Sequence, residues 1–344
     1  MSNLQLGLAM LGGIILAAVV AYNAWVTRKS APRKADAPVE PLPDTDRQEP
    51  GFDGAPLPTA TDGTGDGRSG DKRAGLDALI DVVAPLVLEG EVSGDAILAA
   101  MPGTRRVGSK PFAIEAQHAT TGEWETPRPG QRYTAVQAGV QLANRHGPLN
   151  DIEFSEFVMK AQNLADAIGA APEFPEMRDE VLRARELDQF ASTHDAQLGF
   201  TLRAVQAAWS PGYVQQHAAK LGFVVGALPG RMVLPGTESM APILSLLFDT
   251  QAALAEDPEQ SALREVSLLL DVAHVARTEQ PYQRMREVAA ALGSTMDGML
   301  TDDQGHRLTE EALDRIGADL ESLYAALEAR DLHAGSVLAR RLFS

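Results

Sequence analysis

Apolar positions along the 344 residues follow three successive patterns, and each predicts a different kind of structure. From Met1 to Thr27 no side chain is charged, and the run LQLGLAMLGGIILAAVVAYNAWV is long enough as a helix to cross a ~30 Å hydrocarbon core. This predicts a single transmembrane anchor over residues 1–27. Leu4, Leu8, Leu11, Ile14, Ile15, Leu16, Val19 and Val20 would face lipid, with Tyr22 and Trp25 in the headgroup layer. Residues 28–75 then lose apolar character: Pro32, Pro38, Pro41, Pro43, Pro50, Pro56 and Pro58 precede the tract TDGTGDGRSGD. Such a segment cannot bury a core and predicts a disordered linker that gives reach.

From residue 76 the spacing alternates between strand and helix periods, in an order that occurs twice. Each half opens with a strand-like run, Leu76 to Pro85 or Leu198 to Ala207. A short helix follows, opened by Ser-Gly-Asp at Ser93 or Ser-Pro-Gly at Ser210. More strand-like segments come next: Phe112 to Gln117 and Tyr133 to Leu142, then Phe223 to Leu234, Ile243 to Phe248 and Val266 to Val275. Two helices close each half. In the second, Pro281 suits a first turn, Gly293 reads as the terminator, and Thr309 with Glu310 and Glu311 opens the last helix. In the first, Phe154 to Ile168 and Met177 to Phe190 keep a helical stripe. The prediction is α+β: two related units, 76–192 and 193–344, each a small antiparallel sheet covered by helices on one face.

Charge and composition narrow the function. Forty-seven acidic against 30 basic residues give a net charge of -17, which disfavours nucleic acid as a partner, and the absence of cysteine excludes thiolate chemistry and disulfides. Arg28, Lys29, Arg33 and Lys34 follow the apolar run with no basic residue before it, so the amino terminus should face the periplasm and the rest the cytoplasm. The Gly12-Gly13 pair offers a close-contact surface for self-association of the anchor. Gly65, Gly67 and Gly70 satisfy a dinucleotide fingerprint, but no strand precedes them and no helix follows. His118, His146, His194, His217, His274, His306 and His333 lack metal-ligand spacing, and GxSxG and GxxxxGK[ST] do not occur. No catalytic, cofactor, metal or small-molecule site is therefore predicted. Asp302-Asp303 reads as a solvated turn, Trp124 and Trp209 as packing residues, and the closing RRLFS as a frayed terminus.

Three features carry a resemblance to a known family. An anchor, a basic cluster, a proline-rich spacer and a carboxyl-terminal α+β domain follow one another; VVAP at Val82 to Pro85 ends a strand ahead of Ser93-Gly94; and LTDDQGHRLT, Leu300 to Thr309, joins a long helix to a closing one. Together they resemble ZipA, the membrane-anchored cell-division family whose carboxyl-terminal domain binds the tail of FtsZ. The resemblance implies a non-enzymatic adaptor at midcell on the bacterial inner membrane, with the FtsZ tail lying in a shallow apolar cleft on the open face of the sheet. On the second unit it places Thr201, Arg203, Ser245, Leu247, Asp249, Ser267 and Leu269 on that face. In the first unit, where AIGAAPEFPEM replaces the acidic turn, the comparable strand includes Leu79 and Asp81. Two other readings remain: a bitopic scaffold for another envelope machine, and an envelope-associated enzyme, which would require a deep pocket with converging titratable groups.

Overall fold

A computed structural model describes residues 32–35, 75–237, 241–257 and 260–344. The anchor expected over residues 1–27, Arg28, Lys29 and most of the expected linker lie outside them. Among the described residues no helix is long and apolar enough to cross a membrane.

The chain is α+β, built on antiparallel sheets. In the first half, β1 (Asp81–Leu88), β2 (Val92–Ser93), β3 (Arg106–Val107), β4 (Lys110–His118), β5 (Trp124–Glu125), β6 (Arg132–Gln141) and β9 (Ala170–Pro172) form one sheet in the order β3-β4-β6-β1-β9. There β2 adds to β6 and β5 to β4, while β7 (Ala143–Asn144) and β8 (Gly147–Pro148) make a small ladder of their own. Between the strands lie α1 (Gly94–Ala100), α2 (Asp151–Ile168) and α3 (Met177–His194). Local chemistry fixes their ends. Ser93 accepts from Ala96 N to open α1, Asn150 and Glu153 form a reciprocal capping box on α2, and Gly169 closes α2 at φ 67°. The alternating residues Val82, Ala84 and Leu86 of β1 and Phe112, Ile114 and Ala116 of β4 are buried against Phe154, Phe157, Ala161 and Leu164 of α2.

The second half repeats the strand order. It comprises β10 (Gln197–Ala204), α4 (Pro211–Lys220), β11 (Val224–Val225), β12 (Arg231–Leu234), β13 (Leu244–Leu247), α5 (Thr250–Ala253), β14 (Glu265–Asp271), α6 (Pro281–Met296), β15 (Gly298–Thr301) and α7 (Glu310–Glu328). Its sheet runs β11-β12-β13-β14-β10-β15. Pairing gives a common register. Ala170 lies opposite Leu88 as Gly298 lies opposite Ala204; counting back along β1 and β10, Val83 then corresponds to Gly199, Gly139 to Leu269 and Ala113 to Ser245.

Several boundaries differ from the expectations. Phe223 to Leu234 is a hairpin rather than one strand, because Pro229-Gly230 turns the chain with Gly230 at φ 76°. Val266 to Val275 leaves the sheet after Asp271 for a 3₁₀ turn, Val272–His274. Gly293 does not end its helix. α6 runs on to Met296 and Asp297 supplies the left-handed cap at φ 55°, whereas Gly293 allows close passage of the Gly298 carbonyl. Trp124 is 44% exposed, because β5 is a two-residue edge strand that no helix covers.

The closing residues are also not frayed. A last helix, α8 (Val337–Leu342), and Phe343 return to the first half, where Ala339, Leu342 and Phe343 join its core. Around this junction Arg341 pairs with Asp81, Arg145 bridges Asp195 and Asp271, and His274 bonds the Phe343 carbonyl at 2.9 Å. The two halves are thus joined by both apolar and ionic contacts.

Candidate functional site

Alternation along the second sheet separates its two faces. Phe200, Leu202, Leu246, Val266, Leu268 and Leu270 are buried beneath α6 and α7, in a core with Met285, Leu292, Leu313 and Tyr324. Their sequence neighbours point the other way, where no described helix lies. Cross-strand pairs Thr201↔Ser267, Gly199↔Leu269, Ser245↔Leu269 and Leu247↔Ser267 put these side chains on that open face.

Six of the seven residues assigned to this face are brought together there: Thr201, Arg203, Ser245, Leu247, Ser267 and Leu269. Asp249 is not. It lies past the end of β13 and its carboxylate caps α5, accepting from Gln251 N at 2.8 Å. The strand ends at Leu247, so period-two counting fails two residues later.

Between β10, β13 and β14 the face dips into a groove of about 500 Å³, lined by Gly199, Leu247 and Leu269 and walled by Pro242 and Ile243. Leu269 is 39% exposed in it. Gly199 makes the room: a Cβ there would come within 3.3 Å of the Leu269 side chain. Arg231 stands at the rim, directly across from Leu247, and donates from Nη2 to Ser245 Oγ at 3.0 Å. Farther along, Arg203 pairs with Glu265 at 3.4 Å and lies under the Asp302–Arg307 turn, where Gly305 at φ 87° leaves space for its guanidinium. That turn is solvated, and Asp302 holds it by accepting from His306 N at 2.7 Å. Gly199 sits on the same alternation as Thr201 and was available to sequence reasoning. Arg231 was hidden because the hairpin containing it read as one strand.

The corresponding face of the first sheet is occupied by its own chain. A Cβ on Gly139 would overlap Leu76, which lies across the sheet centre, and a Cβ on Gly75 would come within 3.0 Å of the Glu115 carboxylate. Glu115, at the position of Leu247, accepts from Gln137 Nε2 at 2.9 Å. Of the two residues compared on its first strand, Leu79 is in the turn before β1 and Asp81 is fully buried under Arg341.

Two of the larger grooves carry less chemistry. The one beside β15, about 690 Å³, is bordered by Arg286, whose charge is already matched by Glu310 and Asp314. The one between the halves, about 780 Å³, is crossed by the Arg145–Asp195 pair. Trp209, in contrast to Trp124, is fully buried and donates its indole N–H to the Met296 carbonyl at 2.8 Å.

Residues 245–319 match the family model of ZipA, C-terminal FtsZ-binding domain. The resemblance to ZipA thus holds on the second half, from the Ser245 edge of the groove through β14, α6 and β15 into α7. The match covers under a quarter of the chain and none of the first half. No curated protein matches the chain.

Arg33 and Lys34, expected as cytoplasmic-side charges, are the two of that cluster among the described residues. Arg33 is docked on the ZipA-like half. Its N–H donates to the Ala208 carbonyl at 2.6 Å, its carbonyl accepts from Ser210 N at 2.8 Å, and its guanidinium reaches Met296 O at 3.1 Å and Asp297 at 3.0 Å. Among its described residues, the expected linker is therefore engaged at Arg33, close to its start.

Proposed function

We propose that this protein is a cell-division adaptor: its second unit binds the carboxyl-terminal tail of FtsZ in the open-face groove, and residues 1–27 anchor it in the bacterial inner membrane with the amino terminus in the periplasm. The observation that carries this reading is that the ZipA-type match falls on the half whose sheet leaves an apolar groove uncovered. An uncovered face with Leu247 and Leu269 suits the apolar side of an amphipathic segment. The two units are copies of one ancestral fold, a reading supported by their common strand order and register. Leu76 on Gly139 makes the first copy a self-capped, structural one. Many such anchored sites along a filament would add weak contacts into firm attachment through effective concentration, without any chemical step.

The test uses full-length chain in lipid nanodiscs, assayed against FtsZ with and without its tail. Tail-dependent capture is expected, weakened about tenfold or more by Leu269→Glu, which puts a charge where an apolar side chain should seat. Ala113→Glu, an exposed position on the corresponding face of the first sheet, leaves capture unchanged. Equal recovery of tailed and tailless FtsZ overturns the proposal.

A further inference from the structure

We infer that Arg231 sets the specificity of the groove by pairing with a carboxylate on the bound segment, so the occupant is an amphipathic peptide with an acidic residue beside its apolar ones; this rests on the tail-binding reading above. The charges that face or flank the groove are otherwise matched. Arg203 has Glu265, Asp271 has Arg145, and Arg145 also holds Asp195. His274 bonds the Phe343 carbonyl and lies 3.8 Å from Asp271. Arg231 alone among these described groups has no carboxylate within ion-pair distance. Its one hydrogen bond goes to Ser245 Oγ, and its buried Nε has no partner.

A half-buried guanidinium with a single neutral partner is under-satisfied, and its planar fork suits a carboxylate better than water does. Ser245 fixes its direction. The hydroxyl of this buried serine holds Nη2 beside the apolar floor and leaves Nη1 without a hydrogen bond. The first sheet offers a built-in comparison. On its face the chain supplies both missing elements itself: a leucine, Leu76, over Gly139, and a carboxylate, Glu115, at the position of Leu247. The second sheet has neither, and an arginine at its rim. The net charge of -17 does not forbid an acidic ligand, since fields beyond a Debye length of ~8 Å are largely screened and, of the charged residues lining the groove, Asp271 is already paired with Arg145 while Arg231 has no carboxylate partner.

The experiment measures binding of the FtsZ tail peptide to full-length chain in nanodiscs for wild type, Arg231→Lys, Arg231→Gln and Arg231→Glu, with Leu269→Glu alongside. Each acidic residue of the peptide is changed in turn to its amide and to lysine. Arg231→Glu should weaken binding at least about tenfold, Arg231→Gln less, and Arg231→Lys least. One peptide carboxylate should lose its contribution only when Arg231 is absent, and lysine at that position should restore affinity to the Arg231→Glu variant. Unchanged thermal unfolding of Arg231→Gln, whose amide can keep the Ser245 bond, shows that folding is intact. If all three Arg231 variants bind like wild type while Leu269→Glu does not, the groove stands and the role of Arg231 is refuted. If Leu269→Glu also binds normally, or wild type does not bind, both readings fall.

Discussion

Asp81 is fully buried at the start of β1, yet it meets a guanidinium: Arg341 Nη2 lies 2.5 Å from its Oδ1, and Asp77 N donates to Oδ2 at 2.9 Å. Burial pushes the Asp81 carboxyl above the ordinary carboxylate range, and Arg341 draws it only part of the way back. A carboxyl whose folded pKa exceeds its unfolded one favours the folded state most when protonated. That contribution declines as pH rises from about 3.8 through the raised value. Removing Arg341 leaves the ionised form buried without a counter-charge, so Arg341→Ala should cost about 3–5 kcal/mol near pH 8. Near pH 5 the loss should shrink, because Asp81 can then take up a proton. Chemical unfolding at the two pH values checks this. An equal loss at both would mean that Arg341 acts only by packing and through its bond to the Gly75 carbonyl.

Helix α8 shows how an element invisible in sequence becomes essential in the fold. Six residues are too few to hold a helix in water, and RRLFS has no amphipathic period, so nothing local predicts order there. Its order comes from the other half of the chain: Leu342 and Phe343 are each about 1% exposed within the first core, and Gln141 Nε2 bonds the Arg341 carbonyl at 2.8 Å. Phe343→Ala should therefore destabilise by roughly 3–5 kcal/mol, and hydrogen exchange should show β1 and β6 losing protection with α8. Loss confined to the last few residues would refute that coupling. The elements that were legible are those whose signals are local. Thr309, Ser93 and Ser210 each cap the helix they were expected to open, and the stripe Leu313, Leu320, Leu327 is buried. Six of the seven residues assigned to the face share one side of the sheet, because strand alternation depends on nothing beyond the strand. Asp249 failed where the strand stopped, Arg231 where a turn was missed, and Leu76 because the run read as one strand turns at residues 78–80, so that β1 starts only at Asp81 and Leu76 lies over the sheet at Gly139.

The contact at Arg33 changes how the whole molecule would sit beneath a membrane. Thr27, the end of the proposed anchor, and Arg33 lie six Cα-to-Cα steps apart, which fully extended span no more than ~22 Å. Thr27 and Gly75 lie 48 steps apart, over which a stretched chain could reach ~170 Å. With Arg33 docked and residues 1–27 in lipid, as proposed, the shorter length would govern and would hold the groove-bearing half close to the bilayer. The dock is weak enough to open. The Arg33–Asp297 pair is about a third exposed on each side and contributes at most about 1 kcal/mol, and the backbone bonds to Ala208 and Ser210 add about 0.5–1.5 kcal/mol each. Arg33→Ala removes the bonds to Asp297 and Met296 and should shift the balance toward release by several-fold. Because the chain has no cysteine, Ser322→Cys on the exposed face of α7 takes a fluorescent label alone. Energy transfer from that label to acceptor lipids in liposomes should fall on Arg33→Ala, and reversal of both charges, Arg33→Asp with Asp297→Arg, should recover part of it. Transfer that stays constant across the series would show that Arg33 does not set the distance, leaving the full proline- and glycine-rich stretch to determine how far the groove can search.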